Sequence, residues 1–90
     1  MSGATPKRRF VRVYRSSRRQ EMYLYVDAAT DLARVPETLL ERFGHPVEAL
    51  SLMLAPDRPL ARADAARVLE QIEEEGFYLQ MPPPEAWSAG

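Results

Sequence analysis

The chain contains no cysteine and only one histidine, His45, among its 90 residues. It can form no disulfide bond and offers no thiolate to a metal, and cysteine-free chains suit reducing compartments such as the cytoplasm. No apolar run approaches the ~20 residues that span a bilayer, and the basic residues near the start are not followed by the apolar stretch of a signal peptide. These absences predict a cytoplasmic protein that holds no metal or cofactor and has no membrane segment.

The overall composition is that of an ordinary globular protein. Hydrophobic residues make up 46% of the chain and charged residues 28%, which is far from the balance of a disordered chain. A chain of 90 residues suffices for one domain and is too short for two. We expect a flexible N-terminal arm over residues 1–8, a single domain over 9–84 and a C-terminal tail over 85–90.

The charges are distributed unevenly, although the formal net charge is only −1. No acidic residue precedes Glu21, and no basic residue follows Arg67. The early basic residues are Lys7, Arg8, Arg9, Arg12, Arg15, Arg18 and Arg19. The net charge by itself predicts no polyanionic partner, but the two ends of the chain differ in sign.

Two β-rich runs between Phe10 and Val26 are joined by the arginine-rich loop Arg15–Glu21, a pattern that predicts a β-hairpin. Because side chains alternate between the faces of a strand, Val11 and Val13 are expected on the core face of the first strand. The expected core face of the second strand consists of Met22, Leu24 and Val26. The loop lacks an Asn-Gly turn signal, so we expect it to be long, exposed and mobile.

Two amphipathic helices are predicted at 36–43 and 62–75. Pro36 suits the start of the first helix, while Gly44 and Gly76 suit the caps that follow the two helices. The apolar stripe of the first helix is Leu39, Leu40 and Phe43, and that of the second is Ala65, Val68, Leu69 and Ile72. Each helix therefore has one face that must be buried.

Two further strands are predicted at 49–54 and 77–81, and the prolines at 82–84 end the second of them. In that last strand, Phe77, Leu79 and Met81 are expected to point inward. The sequence thus predicts an α+β fold with the order β-β-α-β-α-β. We expect a two-layer sandwich in which both helices cover one face of a largely antiparallel sheet.

Four segments carry a resemblance to the YcgL domain family of small, mainly gamma-proteobacterial proteins. They are YRSSRRQEMYLYV, RVPETLLERFG, LARADAARVLEQI and GFYLQMPPP, which together cover nearly all of the chain from Tyr14 to Pro84. The resemblance implies a compact two-layer α/β protein with a largely antiparallel sheet. It implies no catalytic residue, because the family has no established biochemical activity. In some members' genomes the gene lies beside that of ribonuclease D, which implies a link to RNA metabolism.

The tyrosines suggest a surface for single-stranded RNA. The sheet face that the helices leave open is expected to carry Arg12, Tyr14, Tyr23, Tyr25 and Tyr78. Aromatic rings on an open sheet stack on RNA bases, at ~1 to 3 kcal/mol per base, while arginines contact phosphates. The alternative is that tyrosine is present as a good strand former, with arginines stacked on its ring.

The hairpin loop is a second candidate surface. Arg15, Arg18 and Arg19 flank two serines, and bidentate guanidinium contacts from such a loop suit a phosphate or an acidic partner. The alternative is a solvated loop that discourages pairing of the edge strands. No general base lies near the serines Ser16 and Ser17 in the sequence, so no nucleophile is predicted.

The proline-rich end is a third candidate surface. Pro82 and Pro83 suit a polyproline II segment that docks on a partner, with Trp87 as its anchor. The alternative is that the prolines only end a strand. Glu73–Glu75 are expected to form a solvated helix end rather than a metal site, and Asp64 to begin a helix.

These patterns favour a non-enzymatic cytoplasmic adaptor that binds a protein partner through the hairpin loop and the proline-rich end. The alternative is an accessory protein that binds single-stranded RNA through the tyrosines and loop arginines, in connection with ribonuclease D. A small enzyme is a second alternative, which would need its acid, base and nucleophile from carboxylates that have structural roles. The chain is expected to be a monomer.

Overall fold

Strands form in this chain where apolar and polar residues alternate. Helices form where apolar residues recur three and four positions apart. The computed structural model describes residues 7–60 and 63–82. In chain order the elements are strand β1 (Arg9–Arg15), strand β2 (Tyr23–Asp27), a 3₁₀ helix (Asp31–Arg34), helix α1 (Glu37–Phe43), strand β3 (Val47–Leu54), helix α2 (Ala65–Glu75) and strand β4 (Phe77–Gln80). The predicted α+β class and the predicted order of strands and helices are confirmed.

All four strands belong to one antiparallel sheet with the order β3-β1-β2-β4. β1 and β2 form the predicted hairpin, in which Val13 lies opposite Tyr25 and Tyr14 lies opposite Leu24. Residues that lie opposite each other in a sheet point to the same face. The aliphatic sides of β1 and β2 therefore point to opposite faces of the sheet.

One face of the sheet packs against α2, and we call it the α2 face. Its buried residues are Val11, Val13, Tyr25, Leu54, Ala65, Val68, Leu69 and Ile72. The predicted apolar stripe of α2 is confirmed, because each of its four residues is at most 2% exposed. Each large aliphatic side chain that is buried in this way stabilises the fold by about 1.5 to 3 kcal/mol.

The opposite face, the α1 face, packs against α1 and the chain around the 3₁₀ helix. Its buried residues are Tyr14, Met22, Leu24, Val26, Val35 and Phe43. Phe43 at the end of α1 is fully buried, and Leu39 and Leu40 pack beside it. The two helices therefore lie on opposite faces of the sheet, and the prediction that both cover one face is wrong. That prediction placed the aliphatic sides of β1 and β2 on the same face of the sheet. The register between the two strands places them on opposite faces.

The helix ends follow the sequence signals. Gly44 after α1 and Gly76 after α2 both have positive φ angles, of 85° and 92°. The carboxylate of Asp64 caps α2 by accepting a hydrogen bond from the second N–H of the helix. At the acidic C-terminal end of α2, Arg34 donates a hydrogen bond to the carbonyl oxygen of Glu74 at 3.3 Å. This end of α2 thus receives a cation from the 3₁₀ helix, whereas the last turn of α2 itself contains no basic residue.

Candidate functional site

A buried serine fixes the hairpin loop. Ser16 is only 7% exposed, and its hydroxyl donates a hydrogen bond to the carbonyl oxygen of Phe43. The same hydroxyl accepts hydrogen bonds from the backbone N–H groups of Arg18 and Arg19, each at 3.0 Å. The expectation of a wholly exposed loop is therefore wrong at Ser16, because this side chain joins the loop to the end of α1.

Gly44 lets the loop approach α1 closely. A Cβ atom at this position would lie 2.6 Å from Cγ of Arg18 and 2.7 Å from Oγ of Ser17. The backbone of Gly44, at φ 85° and ψ −163°, also lies in a region that other residues rarely adopt. Glycine is required here both by the close packing and by the backbone conformation.

Three arginines border a groove where the hairpin loop, α1 and the end of β4 meet. Arg18 and Arg19 belong to the loop, and Arg42 belongs to the last turn of α1. The rest of the lining is apolar and consists of Met22, Leu39, Leu79 and Met81. The groove has a volume of about 680 Å³. We call it the arginine groove.

The lining of the arginine groove combines cations with aliphatic and thioether side chains. Arg18 and Arg42 are exposed, and a guanidinium group presents a planar fork of donors that matches a carboxylate or a phosphate. Among the residues that the structure describes, no aromatic ring, carboxylate or histidine belongs to this lining. This arrangement suits a ligand that carries both negative charge and apolar groups.

A polar cluster elsewhere on the α1 face joins the sheet to the 3₁₀ helix. Asp31 accepts hydrogen bonds from the Tyr14 hydroxyl at 2.6 Å and from the Arg12 guanidinium at 2.9 Å. A carboxylate oxygen of Glu48 lies 3.7 Å from Nε of Arg12. Arg12 and Tyr14 are thus already bonded within the protein. The backbone of Asp31, at φ 52°, is in a region that few side chains tolerate, and these two hydrogen bonds help to hold it there.

The same cluster shifts two pKa values. Burial, followed by the hydrogen bond to Asp31, raises the pKa of Tyr14, because both disfavour the phenolate. The hydrogen bond with Tyr14, followed by the charge of Asp31, raises the pKa of Arg12. Both shifts keep the groups in the protonation states that the cluster needs.

The four tyrosines do not form one open surface. Tyr14 points to the α1 face, whereas Tyr23, Tyr25 and Tyr78 point to the α2 face and belong to the core there. Tyr14 and Tyr25 are each only 9% exposed, and the Tyr25 hydroxyl donates a hydrogen bond to Oε1 of Gln80 at 3.1 Å. The predicted tyrosine face is therefore wrong in its geometry, because α2 covers the face that was expected to be open.

The structure brings only some of the predicted site residues together. Arg18 and Arg19 line the arginine groove, whereas Arg15 at the end of β1 is exposed and lies outside the lining. Pro82 is half-buried and directly follows Met81, which lines the groove. The predicted residues Pro83 and Trp87, most of the predicted arm and the predicted tail lie outside the described residues.

The sequence analysis missed the contribution of α1 to this groove. Leu39 and Arg42 are three residues apart, a spacing that places both on one side of a helix. Leu39 was assigned only to the buried stripe, and Arg42 was given no role. An arginine one turn after a stripe leucine, directly before the glycine cap, is the signal that was available.

A second groove of about 650 Å³ lies on the α2 face. Its lining consists of Val13, Tyr23, Tyr25, Ala49, Leu50, Ser51, Leu52, Arg58, Pro59, Leu60 and Gln80. Of the described residues in this lining, Arg58 alone is charged, and the polar ends of Tyr25 and Gln80 bond to each other. It therefore lacks the concentration of charge found in the arginine groove.

Within residues 7–60 and 63–82, no cluster of three or more histidine, aspartate or glutamate side chains is arranged to hold a metal ion. Glu73–Glu75, which the sequence places at the end of a helix, are exposed at the end of α2. None of the described helices is long and apolar enough to cross a membrane.

Comparison with known proteins assigns the chain to a family. The sequence model of the YcgL domain family matches residues 11–83 of this chain. A YcgL domain-containing protein of Chromohalobacter salexigens is 62% identical over 76 residues, which cover 84% of this chain and 79% of that relative. A relative of the same name in Pseudomonas aeruginosa is 56% identical over 78 residues, covering 87% of this chain and 80% of its own. A third relative, in Hahella chejuensis, is 52% identical over 79 residues, which cover 88% of this chain and 74% of that relative. The chain therefore belongs to the YcgL domain family.

Proposed function

We propose that this protein is a non-enzymatic cytoplasmic adaptor that binds an acidic, partly apolar segment of a protein partner in the arginine groove. The observation that carries the proposal is the meeting of three arginines and four apolar side chains in one groove. The hairpin loop and the end of β4, two segments that the sequence analysis connects with partner binding, both contribute to the lining. The lack of cysteine supports a reducing compartment.

The loop side of the groove is already ordered, which favours binding. Ser16 holds the backbone N–H groups of Arg18 and Arg19 and is itself bonded to the end of α1. Gly44 lets the Arg18 side chain lie against the same helix end. An ordered groove loses less conformational entropy when a partner binds than a mobile loop does. The loop is therefore suited to recognition.

The lining favours a protein segment over RNA. Proteins that bind single-stranded RNA stack its bases on aromatic rings, and no ring from residues 7–60 or 63–82 lines the arginine groove. Met22, Leu39 and Leu79 instead offer contacts that suit aliphatic side chains.

The lining also favours binding over catalysis. The titratable groups that the described residues contribute to it are all arginines, and arginine stays protonated at any physiological pH. It therefore makes a poor general acid or base, for which a pKa near the working pH is best. Within residues 7–60 and 63–82, the lining offers no serine, cysteine or carboxylate as a nucleophile.

Fluorescence anisotropy with a labelled peptide of alternating glutamate and leucine tests the proposal. The wild-type protein is expected to bind this peptide and not the matching peptide of lysine and leucine. The variant Arg18→Glu/Arg42→Glu is expected to bind at least ~10-fold more weakly, because two charge contacts of up to ~1 kcal/mol each are reversed. The matched control Arg58→Glu/Arg67→Glu has the same net charge and changes two exposed arginines outside the groove.

The outcomes separate the candidate functions. Equal loss of peptide binding in both variants would contradict a role for the arginine groove, as would no binding by the wild type. A labelled oligouridine is titrated in parallel at low and moderate salt. If only the RNA binds, and its affinity falls steeply with salt, the RNA-binding alternative replaces the adaptor.

A further inference from the structure

β3 lies at one edge of the sheet. In the described part of the chain it pairs only with β1, because the strand order places it at the end of the sheet. In an antiparallel sheet, about half of the N–H and C=O groups of an edge strand point away from its neighbour. No strand within the described residues pairs with these outward groups of β3. They are available to another strand.

Exposed apolar side chains concentrate at this edge. Leu50 and Met53 of β3 are each 50% exposed, and Phe10, directly opposite Met53 on β1, is 48% exposed. Met81 is the one other large apolar side chain that is exposed among the described residues. Glu48 is the only charged residue of β3, and the strand contains no proline. The usual defences of an edge against pairing are therefore sparse in β3.

The opposite edge is better protected. β4 is only four residues long, and the chain continues through Met81 into Pro82. Proline has no N–H group and cannot extend a ladder. β3 is twice as long, at eight residues. The difference identifies β3 as the edge that is suited to pairing.

We propose that β3 pairs with β3 of a second copy of this chain in an antiparallel, two-fold symmetric contact that joins two sheets into one. The regular part of the strand is Leu50–Leu54, because the ladder with β1 is interrupted between Val13 and Tyr14. With the two-fold axis at Leu52, Leu50 lies opposite Leu54 of the second copy. Ser51 lies opposite Met53 of the second copy on the other face.

The charges near the strand ends are compatible with this pairing. Glu48 is the only charge on the strand, and the two-fold axis places the two copies of Glu48 at opposite ends of the contact. It brings Glu48 near the turn after β3 of the second copy, which carries the exposed residues Asp57 and Arg58. Each end of the contact thus combines charges of both signs, and no like charges face each other along the paired strands.

The proposed contact is small, so we expect the dimer to be weak. Five paired residues and three exposed apolar side chains per copy bury less than the ~1,200 Å² of a standard stable interface. The dimer is therefore expected to be weak and reversible, with a dissociation constant on the order of 100 µM. The arginine groove involves none of the paired residues, so this proposal and the adaptor proposal fail independently.

Sedimentation velocity of the full chain over a range of concentrations tests the dimer. The mean mass is expected to rise from the monomer value toward twice that value as the concentration passes ~100 µM. Leu50→Lys/Met53→Lys is expected to remain monomeric, because both copies then carry like charges at the edge. Ala29→Lys/Thr38→Lys, which adds the same charge at two exposed residues outside β3 and the arginine groove, is expected to dimerise like the wild type.

Amide hydrogen exchange provides a second readout that does not depend on the folding of a variant. The outward amides of Leu50–Leu54 in the wild type are expected to exchange more slowly as the concentration rises. A constant monomer mass with concentration-independent exchange would overturn the proposal. Dimerisation that persists in a folded Leu50→Lys/Met53→Lys variant would also overturn it, because another surface would then form the contact.

Discussion

The two faces of the sheet are covered in different ways. On the α2 face, an 11-residue amphipathic helix buries a continuous stripe of apolar side chains. On the α1 face, a helix of seven residues and a short 3₁₀ helix cover a core of six buried residues. The α1 face also contains the polar cluster around Asp31 and the arginine groove.

Helix length explains much of this difference. At 1.5 Å per residue, α2 spans about 16 Å and α1 only about 10 Å. α1 therefore ends at Phe43 and leaves a space between the hairpin loop and the end of β4, where the arginine groove lies. We infer that the α2 face serves mainly stability, and that the α1 face combines stability with partner binding.

The largest effects are expected from truncation of the two cores. Leu69→Ala on the α2 face and Leu24→Ala on the α1 face should each lower the free energy of unfolding by about 2 to 5 kcal/mol, because both side chains are fully buried. Urea denaturation followed by circular dichroism measures both values.

The independence of the two faces is tested with a milder second substitution. Combining Leu24→Ala with Ile72→Val should give the sum of the two single effects to within about 0.5 kcal/mol, since the side chains lie in separate clusters. A coupling energy well above that value would mean that the two faces do not behave as separate cores.

An intermediate effect is expected at Ser16. Ser16→Ala removes a buried hydroxyl and leaves the Phe43 carbonyl and two loop N–H groups without their partner. The free energy of unfolding should fall by about 1 to 3 kcal/mol, and the acidic peptide should bind more weakly. Ser17→Ala, at the exposed neighbouring residue, is the matched control. Equal peptide affinities for the two variants would show that Ser16 does not order the groove.

A smaller effect is expected from the pKa of Tyr14, which burial and the bond to Asp31 raise. A raised pKa in the folded state stabilises the fold fully below the unfolded value of about 10 and loses this contribution as the pH rises through the folded value. The free energy of unfolding should therefore fall above about pH 10. It should fall less steeply in Tyr14→Phe, and urea denaturation midpoints between pH 8 and pH 11 measure the difference. The same pH dependence in the wild type and in Tyr14→Phe would contradict a raised pKa of Tyr14.

Local signals predict much of this fold. The helix caps at Gly44 and Gly76 and the stripe of α2 depend on neighbouring residues, and the structure contains each of them. The expectation that Met81 points inward is wrong, because this side chain is 45% exposed beyond the end of β4. The arrangement of the helices depends instead on the register between β1 and β2, which no local pattern specifies across a loop without a defined turn type. One register error placed all four tyrosines on the wrong kind of surface.

The candidate site was predictable only in part. The arginine-rich loop is visible in the sequence, and Arg18 and Arg19 do line the groove. Its other half comes from Arg42 and Leu39 on α1, which are adjacent to the loop only because Ser16 and Gly44 bring the two segments together. Such tertiary contacts follow from the folded structure and not from spacing along the chain.

The most direct test of the central claim is an NMR titration of the isotope-labelled wild-type protein with the glutamate-leucine peptide. We predict chemical-shift changes at Arg18, Arg19, Arg42 and Met81, around the arginine groove on the α1 face. The amides that line the second groove on the α2 face should stay unchanged. Shifts centred on the α2 face, or none at saturating peptide, would contradict the assignment of binding to the α1 face.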